Sequence, residues 1–429
     1  MWGVINRLTA RKTKPHHWLL ARRKLLTSIS AISVQNGNIT ISLSRYDNMK
    51  IGILTQPLHI NYGGLLQNYA LQQILIREGH EVETIDWDIP NTLRKKLSRI
   101  KVFLLAVAMP QKYKTPYYFP TAEEQLVIWK NTNHFIQTYI RHTSAMTSLA
   151  DFSVQGKKGK YDGYVVGSDQ CWRPQYNCFL PAMFVSFAEG EKVKRIAYAA
   201  SFGTDQWEFT PDLTTQCASL AQKFDLVTVR EDSGVTLCNE HFGVDATHVL
   251  DPTMLLTKVD YIHLIEAEKE PQALGTLFYH ILDPDAAKIA FVNCVADGLG
   301  LKPFQVLPKY QAEIRTKENV KKHIENCVYP RVTTWLRAFM DAEMTIVDSF
   351  HGLAFSILFN KPFWVIGNTK RGVSRFISLL RLFNLEDRLL DVGELNKVDF
   401  TRPIDWAHVN LLLEQKRTES INLLLNALK

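Results

Sequence analysis

His351-Gly352 sits where a short apolar run gives way to a helical pattern, a placement that suits chemistry. The run Met344–Val347 reads as a buried parallel strand. Asp348 and Ser349 suit a helix N-cap, and Leu353, Ser356, Ile357 and Asn360 recur at helical spacing. Asn360 with Pro362 ends that helix, and residues 363–366 begin the next strand. His351 and Gly352 therefore fall where a strand's carboxyl end meets a helix N-terminus. Open α/β sheets bind ligands at that edge, and the helix dipole there favours anions. An imidazole so placed could hold a phosphate or carboxylate, or move a proton near neutral pH. The plainer alternative is a capping histidine with no ligand.

Three further groups stand at comparable places. Gly63-Gly64 open a helix over 65–77 and could admit an anion or a sugar close to the backbone, or serve the turn alone. Arg230 ends a strand over 226–230 and could clamp a carboxylate or phosphate bidentately. The alternative for Arg230 is a salt bridge to Glu231 or Asp232. Lys370, Arg371 and Arg375 crowd a glycine-punctuated loop after the strand at 363–366, as an anion site or as surface charge.

These residues need a frame. The strand at 50–55, the helix at 65–77 and a strand at 81–85 make a βαβ unit, but its loop is not GxGxxG, so dinucleotide binding is not supported. Strands at 161–166, 195–200 and 226–230 each end in small or polar residues, as a ligand cleft at a parallel sheet's carboxyl edge requires. An amphipathic helix is expected at 93–105, a loop at 110–120, a helix at 122–140 and a solvated turn at 157–160. A second domain opens with a strand at 273–281, a helix at 289–299 and a strand at 304–307. The expected division is a basic extension at 1–48, Rossmann-like domains at 49–255 and 256–405, and an amphipathic helix at 406–429.

Composition narrows the classes. At 429 residues, 46% hydrophobic and 22% charged, two ordinary α/β domains are expected. The net charge of +7 is local: residues 1–48 hold eight basic side chains against Asp47, leaving 42 bases and 42 acids elsewhere. The rest of the chain offers no charge argument for nucleic acid. Residues 1–48 show no alternating or helical pattern of any length and no secretory h-region. They read as disordered, or as an over-called start before Met49, with a basic arm on an anionic membrane surface as the functional alternative. No stretch approaches the ~20 apolar residues of a spanning helix. Six cysteines without CxxC or zinc spacing read as reduced thiols of a cytoplasmic protein with no metal site.

Several motifs together resemble one family. Asn61-Tyr62-Gly63-Gly64-Leu65-Leu66-Gln67, Val166-Gly167-Ser168-Asp169, Tyr198-Ala199-Ala200-Ser201-Phe202-Gly203, Val229-Arg230-Glu231-Asp232, Leu250-Asp251-Pro252-Thr253 and Asp348-Ser349-Phe350-His351-Gly352 are similar, in order, to those of polysaccharide pyruvyl transferases. The resemblance implies a GT-B-like α/β fold, two Rossmann-type domains facing across a cleft, with the C-terminal helix returning to the first. It implies transfer of a pyruvyl group from phosphoenolpyruvate, as co-substrate without a cofactor, onto a sugar or lipid-linked glycan as a ketal. Such an enzyme would work in the cytoplasm or at the inner face of the membrane.

The resemblance places donor binding on Arg230 and His351; Ser349 and Gly352 beside the histidine, and Arg371 and Arg375 from the basic loop, are further donor-binding candidates. Catalysis would fall to His351, Asp169 and Arg230, and acceptor binding to Asn61, Gly63, Gly64, Ser168 and Ser201. The chain departs from the family where arginine and leucine precede the histidine: Ser349 and Phe350 stand there, and Arg371, Arg375 or Lys361 would have to replace the lost cation. A GT-B glycosyltransferase using a nucleotide sugar, or a non-catalytic glycan-binding relative, are the alternative readings.

Overall fold

The computed structural model describes residues 29–35, 38–43, 48–88, 118, 120–155, 160–311, 315–367 and 372–429. The expected helix at 93–105, most of the loop at 110–120, residues 157–159, Lys370 and Arg371 lie outside them. Two compact units emerge, residues 1–48 with Lys429, and residues 49–428. In the first unit, strands β1 (Ile29–Gln35) and β2 (Asn38–Leu43) pair antiparallel, from Gln35 against Asn38 outward. This corrects the reading that residues 1–48 carry no alternating pattern. Ile39-Thr40-Ile41-Ser42-Leu43 alternates, and the two strands flank Asn36-Gly37 in sequence, a hairpin dipeptide.

The second unit is α/β and GT-B-like, with two all-parallel Rossmann-type sheets. The first contains β3 (Lys50–Leu54), β4 (Glu81–Thr84), β5 (Gly163–Val166), β6 (Lys194–Ala200), β7 (Leu226–Val229) and β8 (Thr247–His248), in the order β4-β3-β5-β6-β7-β8. The second contains β9 (Leu277–His280), β10 (Pro303–Phe304), β11 (Met344–Val347), β12 (Phe363–Ile366) and β13 (Leu389–Leu390), ordered β10-β9-β11-β12-β13. The central strands β5, β11 and β12 are buried at every position, because helices cover both faces of a parallel sheet. At the edge, β10 pairs only two residues, so the strand expected at 304–307 is shorter and starts at Pro303.

Helix boundaries moved for local reasons. The first crossover helix is Tyr62–Arg77, not 65–77, because Asn61 caps it by accepting from Gly64 N at 3.1 Å. Gly63 and Gly64 thus belong to the first turn. Gln67 Nε2 donates to Thr55 Oγ1, and Gln72 Nε2 to Thr84 Oγ1, both at 2.7 Å, fixing this buried helix to β3 and β4. The helix expected at 122–140 is two helices, Ala122–Ile128 and Lys130–Tyr139, broken where Trp129 leaves helical backbone (φ −98°, ψ 7°).

The sheets share one apolar core. Ile51, Ile53 and Leu66 from the first half join Trp335, Phe339, Leu353 and Phe355 from the second. Tyr62 carries this continuity: its ring lies 5.9 Å from Trp335 and its hydroxyl donates to Pro330 O at 2.9 Å. The C-terminal helix Trp406–Ala427 lies against the exit of the first sheet. Arg417 Nε donates to Met254 O at 2.9 Å, and Ser420 Oγ accepts from Leu250 N at 3.2 Å. No helix among the described residues is long and apolar enough to cross a membrane.

Candidate active site

The carboxyl ends of both sheets deliver polar side chains to one place. From the first sheet come Asn61 after β3, Asp169 after β5, Ser201 after β6, Arg230 after β7 and Asp251 after β8. A bulge between Ala197 and Ala200, with Ala199 in the left-handed region, bends β6 just before Ser201. From the second sheet, β11 delivers His351 in the first turn of helix Phe350–Leu358. The loop after β12 leads to Arg375 on helix Ser374–Arg381.

Arg230 is the hub. Its side chain is 1% exposed and has carboxylates around it: Asp251 Oδ2 at 3.2 Å, Glu231 Oε1 at 3.5 Å and Asp169 Oδ1 at 3.8 Å. It also donates to Ser201 Oγ at 3.2 Å, and Ser201 in turn donates to Glu231. The Phe350 ring covers its guanidinium at 4.2 Å, a cation–π contact between the halves of the unit. Burial alone would lower the Arg230 pKa, but Glu231, Asp251 and Asp169 outweigh it and raise it. Of the two salt-bridge partners expected, Glu231 is present and Asp232 is not. Asp232 accepts from Ser378 Oγ at 2.6 Å and from Arg381 at 2.5 Å, because its side chain faces the helix Ser374–Arg381.

Asp251 joins the hub to the histidine. Its Oδ2 accepts from Ser168 Oγ at 2.8 Å and Arg230 at 3.2 Å, and lies 3.6 Å from His351 Nε2. Its Oδ1 accepts from Thr253 N and Oγ1 at 2.9 and 2.7 Å. Burial would raise this carboxyl, yet His351, Arg230 and the Thr253 hydroxyl together hold it well below the usual carboxylate range. On its other side His351 presses on the first crossover helix. A Cβ at Gly63 would stand 2.0 Å from His351 Nδ1, so only glycine fits. Nearby, Gly372 has φ +87° and a Cβ there would meet Gly203 O at 2.1 Å, so glycine is required on both counts.

The remaining expected site residues divide by exposure. Asp169, at φ 71°, accepts from Asn61 Nδ2 at 3.0 Å and lies beside Arg230. Asn61 is exposed, whereas Ser168 and Ser201 are fully buried against Asp251 and Glu231 and do not present a surface to a sugar. Gly63 is likewise closed by His351. Ser349 caps its helix by accepting from Gly352 N at 3.1 Å, and a Cβ at Gly352 would meet Ser349 Oγ at 2.7 Å. Arg375 is buried and its pKa is pushed down to about 10, first by burial and then by Arg230, with Glu231 and Asp169 opposing. It is a second guanidinium at the same centre. Arg371 lies outside the described residues. Lys361 precedes β12 at the opposite, amino edge and donates to Met340 O at 2.9 Å, so it does not replace a donor-side cation.

Sequence reasoning passed over Asp251 and Glu231 as chemistry. Asp251 stood only within the Leu250-Asp251-Pro252-Thr253 motif and Glu231 only as a salt-bridge partner, although each follows within three residues of a parallel strand's carboxyl end. Three buried atoms at this centre lack a hydrogen bond of ordinary length among the described residues: Glu231 Oε2, and Arg230 Nε and His351 Nε2, which have only ion-pair contacts at 3.5 and 3.6 Å. Buried orphans cost about 1–3 kcal/mol each, so their clustering marks a place where a polar ligand can contribute bonds. Among the described residues no group of three or more His, Cys, Asp or Glu is arranged to hold a metal ion.

Comparisons with known proteins follow the same division between fold and chemistry. An O-GlcNAc transferase mutant of Thermobaculum terrenum aligns over 98% of this chain and 73% of its own, at 11% identity and TM-score 0.43. MnaA of S. aureus, in a co-structure with UDP, aligns over 81% and 86% at 12% identity and TM-score 0.42. A UDP-GlcNAc 2-epimerase from Neisseria meningitidis bound to UDP-GlcNAc aligns over 86% and 99% at 10% identity and TM-score 0.40. At these scores the likenesses carry no conclusion about chemistry. No curated protein matches the chain significantly. The family model for polysaccharide pyruvyl transferase, however, matches residues 61–370, from the Asn61 cap through His351 to the basic loop. That span runs from β4 to β12 and holds Asn61, Asp169, Arg230, Asp251 and His351, and the chain belongs to the polysaccharide pyruvyl transferase family and is a transferase.

Proposed function

We propose that the protein moves the pyruvyl group of phosphoenolpyruvate onto two hydroxyls of one sugar, in a polysaccharide or its lipid-linked precursor. The product is a cyclic ketal and the leaving group is phosphate. The cluster of unsatisfied buried atoms on Arg230, Glu231 and His351, in a member of this family, carries the reading. The donor's C2 gains two sugar oxygens and loses its phosphate oxygen. Of the two hydroxyl protons, one ends on the donor methylene, which becomes methyl, and the other leaves with phosphate. No cofactor enters this balance.

The residues suit these steps. His351 can move a proton, and ionised Asp251 stabilises the imidazolium that forms. Arg375, His351 and the helix N-terminus at Ser349–Gly352 offer positive charge to an anionic donor. Arg230 lies beneath Phe350 and holds Asp251 and Ser201 in place beside His351. Asp169 and Asn61 face the acceptor side. A lipid-linked acceptor would bring a cytoplasmic enzyme to the inner membrane face, where the basic residues of 1–48 favour anionic lipid.

The test is phosphate release from phosphoenolpyruvate across a panel of soluble and lipid-linked glycans. His351→Ala is expected to lose acceptor-dependent release about 10²–10⁴-fold. Absence of both turnover and stabilisation by phosphoenolpyruvate would overturn the donor assignment.

A further inference from the structure

With Ser168 and Ser201 buried and Gly63 closed by His351, a sugar at the first sheet's carboxyl edge must meet other groups. The accessible ones lie on the loop between β3 and helix Tyr62–Arg77 and on the end of β4. His59 Nε2 stands 3.3 Å from Asp88 Oδ1, with side chains 32% and 46% exposed. The His59 ring lies 5.1 Å from the half-buried Trp129 ring, inclined at 33°, at the break between two helices.

The loop is held from both sides. Leu58 N donates to Asp86 Oδ1 at 3.1 Å, and Gln56 Nε2 donates to Gln170 O at 2.7 Å. Asp88 N donates to Met146 O at 2.9 Å. Only Ile60 separates His59 from the exposed Asn61, at most about 7 Å between Cα atoms. Asn61 reaches Asp169, which lies beside Arg230. The loop that carries His59 is therefore continuous with the residues that reach the catalytic centre.

We propose that His59, Asp88 and Trp129 form the subsite that binds and selects the acceptor sugar. The half-buried indole, with the His59 ring beside it and the Ile128, Val320 and Cys327 cluster behind it, offers an apolar edge to the C–H side of a pyranose, while the imidazole and carboxylate bond adjacent hydroxyls. Charge separates this subsite from the donor's. Asp86 and Asp88 beside His59 repel a trianion, whereas a neutral polyol loses nothing there. The half-buried Asp86 carboxyl is raised by burial, opposed first by the Leu58 and Trp87 backbone donors and then by His59 and His142, which places His59 within the field of both acids.

The inference rests on the pyruvyl-transfer reading but is tested apart from it. Saturation-transfer NMR with methyl glycosides of glucose, galactose and mannose, without donor, would compare wild type with His59→Gln, Asp88→Asn and Trp129→Ala. At least one glycoside is expected to receive saturation in the wild type, with Trp129→Ala losing it. Asp88→Asn should weaken it about tenfold. The two exposed substitutions keep the test valid if Trp129→Ala misfolds. Wild-type protein that contacts no glycoside, or variants that bind as wild type does, would overturn the subsite. Stabilisation of the wild type by phosphoenolpyruvate reads the donor side separately. Its failure with glycoside binding intact would remove pyruvyl transfer and leave the subsite.

Discussion

Replacing Gly63 by alanine sets two physical effects against each other. Gly63 is the second residue of helix Tyr62–Arg77 and has no positive φ. Helix propensity therefore favours alanine by up to about 0.5–1 kcal/mol. Against this, the new Cβ would stand 2.0 Å from Nδ1, 2.2 Å from Cγ and 2.7 Å from Cβ of His351. The Cβ of His351 is fixed by its own backbone, so a rotamer change cannot clear the overlap. Overpacking of this kind costs about 1–3 kcal/mol, and a net loss of about 1–2 kcal/mol is expected. The measurement is urea unfolding of wild type, Gly63→Ala, His351→Ala and the double variant. In the His351→Ala background the ring atoms are gone and only the Cβ contact remains. The alanine should then cost less, because the 2.0 and 2.2 Å ring contacts are gone while the 2.7 Å Cβ contact stays, giving a coupling of about 1 kcal/mol. Gly63→Ala should also lower activity, because His351 must move away from Asp251. Wild-type or higher stability in Gly63→Ala would refute the packing of His351 on this helix.

Two other perturbations read the charge arrangement. The native Asp251 carboxyl lies below its unfolded value near ~4, so its contribution is present above that pH and lost as pH falls further. Asp251→Asn should cost about 3–5 kcal/mol at pH 7 by stranding Arg230 and His351, and should flatten the acid limb of a stability–pH curve below ~4. Asn61→Asp keeps a capping oxygen for Gly64 N but sets a second carboxylate against Asp169. Its thermal midpoint should fall at pH 7 and recover toward pH ~4–5, as one of the pair takes up a proton, whereas Asn61→Ala should lose about 1 kcal/mol of cap at both.

The local features of this protein were legible because they depend on neighbours a few residues apart. Apolar β-branched runs gave β5, β11 and β12, and caps and stops bounded helix Phe350–Leu358 closely. The rule that ligands gather at carboxyl ends of parallel strands pointed to Asn61, Asp169, Arg230 and His351 before any contact was visible. Even locally the reading failed where signals were short or mixed. The alternation at 39–43 was missed, and the break at Trp129 has no proline or glycine to announce it.

Partners were another matter. Arg230 could have paired with either following acid. The turn after β7 buries Glu231 beside it and sends Asp232 to Arg381. Asp251 stood in a motif with no role of its own until β8 placed it between Arg230 and His351, 100 residues further along the chain. Ser168 and Ser201 had the right chemistry for a sugar and are buried as supports for Asp251 and Glu231. Periodicity and capping act through bonds between near neighbours, so the sequence by itself determined the strands, the helix starts and which residues stand at their ends. Which of those residues touch, and which remain open to solvent, depends on strand order and on how two sheets approach. Only the tertiary structure decided that, because each such contact joins groups that no local pattern relates.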